Sequence, residues 1–161
     1  MKSKTLLLVT LSLLTLFSAC GRKSLLHEER QFDRNVWNRF TPEVFDIHVT
    51  NVENYYNLDF TVAVDTTVYR YDRVPLMLIL NGPDGERRQF HGVVLLKDKE
   101  RWRGEIVDGY RVANGRIRSY FSFNRKGDYR LEVSQETSQY DLEGIHSLTA
   151  DVTKAKLDYN L

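Results

Sequence analysis

The chain has 161 residues, with 23 lysines and arginines against 22 aspartates and glutamates. This balance excludes the clustered basic surplus that a nucleic-acid-binding protein needs, so we predict no nucleic-acid partner. The sequence contains one cysteine, which excludes an internal disulfide and a zinc site built from several cysteines.

The first twenty residues have the pattern of a secretory signal. Lys2 and Lys4 precede an apolar run from Leu6 to Phe17, and Ser18-Ala19 places two small residues directly before Cys20. The run is shorter than the roughly 20 apolar residues that span a membrane. A lone cysteine at this place resembles a bacterial lipobox, although Phe17 stands where leucine is usual. The alternative is an ordinary signal peptide with an incidental cysteine.

We predict that residues 1–19 are a cleaved lipoprotein signal peptide and that Cys20 becomes the lipidated N-terminus. A lipidated cysteine of this kind carries more than one acyl chain, and this gives the stable attachment that one chain lacks. The protein would then sit on a membrane of the cell envelope, which we predict to be the outer membrane. Residues 20–31 are predicted to form a tether, whose eleven residues after Cys20 would extend to about 35–40 Å. Residues 32–161 then form a single domain.

From Val44 onward, apolar and polar side chains alternate with period two, which is typical of half-buried β-strands. The predicted strands cover residues 44–49, 58–64, 76–80, 90–96, 102–107, 117–123, 129–135 and 152–159. Turns are predicted at Asn81–Gly85, at Asn114-Gly115 and at Lys126–Asp128, since Asn-Gly favours a tight hairpin turn. About eight strands predict an all-β fold, an antiparallel β-sandwich or jelly roll. Only the windows 30–40 and 138–147 are compatible with a helix, and both are weak.

The polar residues give no pattern typical of a catalytic or metal site. The histidines His27, His48, His91 and His146 are too far apart in sequence for metal-ligand spacing, so we predict no metal and no cofactor. His146-Ser147 lies beside Asp141 and Glu143, but these groups are too close in sequence to form a triad easily, and no Gly-x-Ser-x-Gly motif is present. We predict that the protein is not an enzyme.

A second acidic cluster surrounds Trp102. Its carboxylates, on Asp98, Glu100, Glu105 and Asp108, alternate with Lys97, Lys99, Arg101 and Arg103. Paired carboxylates beside an aromatic ring would suit glycoside hydrolysis, and the same oxygens would suit calcium. Alternating charges are more typical of a solvated loop, which is the interpretation we favour.

The aromatic residues give the candidate binding surface. We assign it to Trp102, Tyr110, Tyr69 and Tyr71. Tyr69 and Tyr71 are expected on one face of a strand, and Tyr110 is expected to be exposed near the Asn114-Gly115 turn. Such rings stack on sugars and are enriched in protein interfaces, but they also fill the cores of β-sandwiches.

Several short motifs occur in one order along the mature chain. They are Trp37, Val44-Phe45, Tyr56-Asn57-Leu58, Tyr69-Arg70-Tyr71 before Leu76-Met77-Leu78, Pro83-Asp84-Gly85, Leu96-Lys97-Asp98, Trp102-Arg103-Gly104, Phe123, Gly127-Asp128-Tyr129, Val133-Ser134-Gln135 and Leu142–Ile145. In this order they resemble the gliding-motility lipoprotein family GldH, with a departure at Val74-Pro75-Leu76, where the family more often has a polar-aromatic start. The resemblance implies an envelope lipoprotein attached to gliding or secretion machinery, with no established catalytic residues.

We therefore predict a membrane-anchored lipoprotein that acts as a non-enzymatic accessory or structural component of a gliding-motility or secretion apparatus. Its predicted partners are the membrane, through the lipid on Cys20, and other envelope proteins. The alternative is a glycan-binding surface lipoprotein, for which a polysaccharide would be the partner.

Overall fold

The computed structural model describes residues 24–156. The predicted signal peptide, Cys20 and residues 157–159 of the last predicted strand therefore lie outside the described residues. Within the described range, no helix has the length and apolarity needed to cross a membrane.

Residues 24–156 fold almost entirely as β-structure. The strands are β1 (Ser24–Gln31), β2 (Val36–Asn38), β3 (Glu43–Val49), β4 (Tyr56–Val64), β5 (Arg73–Asn81), β6 (Arg87–Leu95), β7 (Lys97–Asp98), β8 (Arg101–Trp102), β9 (Glu105–Val107), β10 (Tyr110–Phe121), β11 (Gly127–Gln135), β12 (Asp141–Glu143) and β13 (Ile145–Lys154). Two short 3-10 segments, Asp33–Asn35 and Pro83–Gly85, are the only helical elements in this range. The second one forms the turn predicted at Asn81–Gly85.

Two antiparallel sheets face each other. The first has the order β1-β13-β4-β10-β9 and the second has the order β3-β11-β5-β6. Two small sheets, β12-β2 and β7-β8, lie in the connections between them. The prediction of an all-β antiparallel sandwich is confirmed.

The core lies between the inner faces of the two sheets. Leu58, Phe60 and Val62 of β4 are buried, while Asp59 and Thr61 between them point to the outer face and are only half-buried. Fully burying such side chains stabilises the fold by about 1.5–3 kcal/mol each. This alternation, read from the sequence, locates the long central strands.

The predicted tether is wrong over residues 24–31, which form the edge strand β1. β1 pairs with β13 from Ser24 opposite Thr153 to Gln31 opposite Ser147. After the buried Leu26, the inward-facing positions of β1 are occupied by charged residues. The sequence therefore lacks the apolar alternation that would identify a strand here. The Arg30 guanidinium donates to the Val44 carbonyl at 2.8 Å and lies 4.7 Å from the Phe45 ring centre, so its charge is satisfied above a core aromatic.

The predicted turn at Asn114-Gly115 is also wrong, because both residues lie inside the twelve-residue strand β10. The Asn114 amide donates to Thr61 Oγ1 on β4 at 3.0 Å. A Cβ added to Gly115 would lie 3.1 Å from Val94 Cα on the opposite sheet. Glycine here permits close approach of the two sheets and does not form a turn.

Three further boundaries differ from the prediction. The last strand runs from Ile145 to Lys154. It therefore starts inside the window 138–147, which we considered compatible with a helix. The predicted strand 102–107 is divided between β8 and β9. Tyr69 and Tyr71 lie in the connection between β4 and β5, and not on a strand.

The sandwich has two ends, which are defined by the residues that they carry. The Ser24 end carries the start of β1, the end of β13 and the loop that joins β10 to β11. The far end carries the connections 65–72, 96–109 and 136–144. β1 has eight residues, and at about 3.3 Å per residue the two ends are separated by roughly 25 Å.

Candidate functional site

All four residues of the predicted binding surface lie at the far end. Tyr69 and Tyr71 lie in the β4–β5 connection, Trp102 lies on β8 and Tyr110 begins β10. Backbone hydrogen bonds hold these connections together, since the N–H groups of Leu96 and Lys97 donate to the Asp72 carbonyl at 2.8 and 3.0 Å. The structure therefore brings the four residues to one end but gives each a different environment.

Tyr69 is a core residue. Its side chain is buried, its hydroxyl donates to the Arg73 carbonyl at 2.7 Å, and burial raises its pKa. Gly144, at φ +84°, lies directly against its backbone, because an added Cβ would be 2.8 Å from the Tyr69 nitrogen. Tyr69 thus supports its exposed neighbour Tyr71, whose ring meets it edge-on at 5.5 Å.

Trp102 is half-buried and packs against the core. It pairs with Lys97 in the β7–β8 hairpin, and the Lys97 ammonium lies 4.2 Å from the centre of its ring. This cation–π contact occupies one face of the indole. Only the other face of the Trp102 ring could therefore stack on a ligand.

Tyr110 is half-buried, where the sequence predicted an exposed side chain. Its ring stacks on His146 with 3.9 Å between centres and 7° between planes. His146 Nδ1 lies 2.9 Å from Asn35 Oδ1, and this fixes the imidazole against the 3-10 segment. One face of Tyr110 is therefore covered by His146.

The most exposed aromatic residues at the far end were not among the predicted ones. Phe40 is 70% exposed and Tyr140 is 67% exposed. Their ring centres are 5.5 Å apart, and the Arg39 guanidinium lies 5.7 Å from the Phe40 ring centre. The Arg39 N–H donates to the Tyr140 carbonyl at 2.8 Å, which joins the two turns beside β2 and β12. The sequence gives no signal that these two rings are exposed, since aromatic residues are also common in the cores of β-proteins.

A groove of about 330 Å³ lies beside this aromatic pair. Val68, Arg70 and Tyr71 of the β4–β5 connection line one side, and Asp141 and Glu143 of β12 line the other. Val68 and Tyr71 are each 42% exposed. The groove thus combines apolar side chains with charges of both signs.

β12 presents a free backbone edge to this groove. The Gly144 N–H donates to the Asn35 carbonyl, and the Tyr140 carbonyl accepts from Arg39, so alternate residues of this segment are directed to β2. Because backbone groups alternate sides along a strand, those of Asp141 and Glu143 point away from β2. Within the described residues, these groups form no hydrogen bond to another backbone group.

The remaining polar candidates lie apart from one another. Histidine–carboxylate pairs occur at His27 with Asp151, His48 with Asp128 and His91 with Glu136. The carboxylate residues around Trp102, Asp98, Glu100, Glu105 and Asp108, are all exposed. Within residues 24–156, no group of three or more histidine, cysteine, aspartate or glutamate side chains is arranged to hold a metal ion.

A family model described as GldH lipoprotein matches residues 24–150, a range that begins at the first residue of β1 and ends within β13. No curated protein matches the chain.

Proposed function

The chain belongs to the GldH lipoprotein family, and from this premise we propose that it is a non-enzymatic accessory component of a gliding-motility or secretion apparatus. Membership of a lipoprotein family places the protein in the cell envelope on a lipid anchor. We further propose that Cys20 carries the lipid after residues 1–19 are removed. The membrane in this proposal is the outer membrane.

The observation that supports a binding role is the exposed aromatic pair, Phe40 and Tyr140. Two large rings in contact at the protein surface form a contiguous exposed apolar patch, and such patches mark interaction sites. Aromatic residues are enriched in protein interfaces and often dominate their energetics. We call Phe40, Tyr140, Val68 and Tyr71 the far-end surface, and we propose that another envelope protein binds there.

The free edge of β12 suggests how such a partner binds. An extended segment can add to an exposed strand edge, where backbone hydrogen bonds provide affinity and side-chain pockets provide selectivity. The outward backbone groups of Asp141 and Glu143 would pair with the segment, and Tyr71 would pack against one of its apolar side chains. Edge strands that are left open in this way otherwise promote unwanted association.

Glycan binding remains the alternative. It needs aromatic faces that are open to a sugar ring. Lys97 covers one face of Trp102, His146 covers one face of Tyr110, and Tyr69 is buried. Of the four predicted residues, only Tyr71 is exposed, so the geometry favours a protein partner.

The test is affinity purification of the tagged, lipidated protein from gently solubilised envelopes, followed by mass spectrometry. We expect stoichiometric recovery of envelope proteins, and a loss of at least about tenfold in the Phe40→Ala/Tyr140→Ala variant, as for interface hot spots. Tyr55→Ala, an exposed tyrosine at the Ser24 end, is the matched control and should retain the partners. Recovery of the lipoprotein alone, together with a Trp102 fluorescence shift on adding polysaccharide, would contradict the proposal and support glycan binding.

A further inference from the structure

The connection between the proposed lipid and the folded domain is very short. Ser24 is already paired with Thr153, and its hydroxyl donates to the Val152 carbonyl at 3.1 Å. Three residues, 21–23, separate Cys20 from Ser24. Even fully extended, four residue steps span at most about 14 Å. A lipid on Cys20 would therefore keep the Ser24 end at the membrane surface.

The same end carries exposed lysines. Lys154 and Lys156 are exposed, and within residues 24–156 neither forms an ion pair with a carboxylate. Lys154 lines one pocket with Ser24 and a second pocket with Lys156, Arg116 and Tyr120. The three cationic side chains Arg116, Lys154 and Lys156 form what we call the basic face. In the sequence, Arg22 and Lys23 directly precede Ser24.

Two carboxylates on the neighbouring strands, Asp59 of β4 and Asp151 of β13, are engaged by other groups. Asp59 accepts two hydrogen bonds from Arg116, at 2.8 and 3.2 Å. Asp151 lies 2.5 Å from His27 Nδ1. Each of these two acids is thus engaged by a group other than Lys154 or Lys156.

Tyr120 adds a side chain that suits a membrane interface. It is 52% exposed, and its hydroxyl donates to the Lys156 carbonyl at 3.3 Å. Tyrosine is enriched at membrane surfaces because its ring is apolar and its hydroxyl is polar. Tyr120 and the lysines therefore combine an aromatic ring suited to the membrane interface with positive charges suited to anionic headgroups.

We propose that the basic face binds anionic lipid headgroups, so that the domain stands with its Ser24 end on the membrane and its far end toward the partner. The proposal rests on the acyl anchor of the proposed function. Each lysine or arginine near an anionic surface strengthens binding by about fivefold. The anchor makes this weak attraction effective, because it turns binding of the face into an intramolecular event.

The test uses the lipidated protein in vesicles of phosphatidylcholine, with and without phosphatidylglycerol. Exposed lysines are labelled with an amine-reactive reagent and quantified by mass spectrometry. We expect Lys154 and Lys156 to be protected several-fold when phosphatidylglycerol is present, and high salt to remove the protection because it screens exposed charges. Lys99, which is exposed at the far end, should be labelled equally in both vesicles.

A charge variant provides the second arm. Lys154→Gln should reduce the protection of Lys156 by about fivefold, and Lys99→Gln should leave it unchanged. Equal labelling of Lys154 and Lys156 in both kinds of vesicle would overturn the proposal. Failure of the anchor is recognised by two separate measurements. Lipidation itself would be contradicted by an intact mass that lacks acyl chains and by release of the protein from vesicles at high salt.

Discussion

At the scale of single residues, the hydrogen bond between His27 and Asp151 links a protonation to folding. The Asp151 carboxylate raises the pKa of His27. A raised pKa in the folded state means that the folded protein binds this proton more tightly than the unfolded chain does. The resulting stabilisation is complete below the unfolded pKa of about 6.5, and it is lost as the pH rises through the folded value.

Titration of the imidazole by NMR measures this effect. We expect the His27 pKa to lie above the ordinary value in the wild-type protein and to fall back toward it in Asp151→Asn, because the amide removes the negative partner. His48 in the same spectra serves as an internal control, since Asp151 does not contact it. The same His27 pKa in the variant and the wild type would contradict the assigned pair.

A second prediction at the residue scale concerns Gly144. Its φ of +84° is unfavourable for any residue with a Cβ, and that Cβ would meet the Tyr69 backbone nitrogen at 2.8 Å. We expect Gly144→Ala to destabilise the domain by about 2–4 kcal/mol in urea unfolding, from strain and displaced backbone together.

The matched control is Gly85→Ala. Gly85 has a similar φ of +78° but nothing within 4 Å of the added Cβ, so it should show the backbone strain alone, about 1 kcal/mol. Equal losses in the two variants would mean that the packing of Gly144 against Tyr69 is unimportant.

At the scale of elements, the clearest prediction concerns β1. Leu26 is its buried side chain and belongs to the hydrophobic core. We expect Leu26→Ala to lower the free energy of unfolding by about 2–4 kcal/mol. A tether would give no change, so a near-neutral result in denaturant unfolding would show that residues 24–31 are not part of the folded domain.

The strands that could be predicted are those with one apolar and one polar face. β4 and β11 alternate almost without exception, because one side of each meets the core and the other meets solvent. β1 breaks this rule, since Glu28 and Arg30 occupy inward positions at the sheet edge and pair with each other at 2.8 Å. Its charged sequence therefore resembles a linker, and only the tertiary structure shows its role.

The candidate site was harder to predict than the fold. Sequence alone locates tyrosines and tryptophan, but it does not show which ring faces are covered by Lys97 or His146. Phe40 and Tyr140 are 100 residues apart in the sequence, and they meet because β2 pairs with β12. Exposure of an aromatic ring depends on such long-range pairing and has no local signature.

At the scale of the whole molecule, the anchor determines where the protein is found. We expect Cys20→Ala to move the protein from the membrane fraction to the soluble fraction, because the basic face alone binds too weakly to hold it at physiological salt. Fractionation and immunoblotting measure this directly. Retention of Cys20→Ala in high-salt-washed membranes would contradict a lipid anchor at this residue.

The position of β1 has a mechanical consequence. Its N-terminal residue, Ser24, follows the proposed anchor, and the far-end surface lies about 25 Å away along the strand direction. A pull between membrane and partner would therefore run parallel to β1, and it would load the β1–β13 ladder in shear. In that geometry the hydrogen bonds resist together, whereas a perpendicular pull would open them one after another. If the anchor and the far-end partner are as proposed, the β1–β13 ladder would carry such a load in shear and β1 would not be peeled away from the sheet at Ser24.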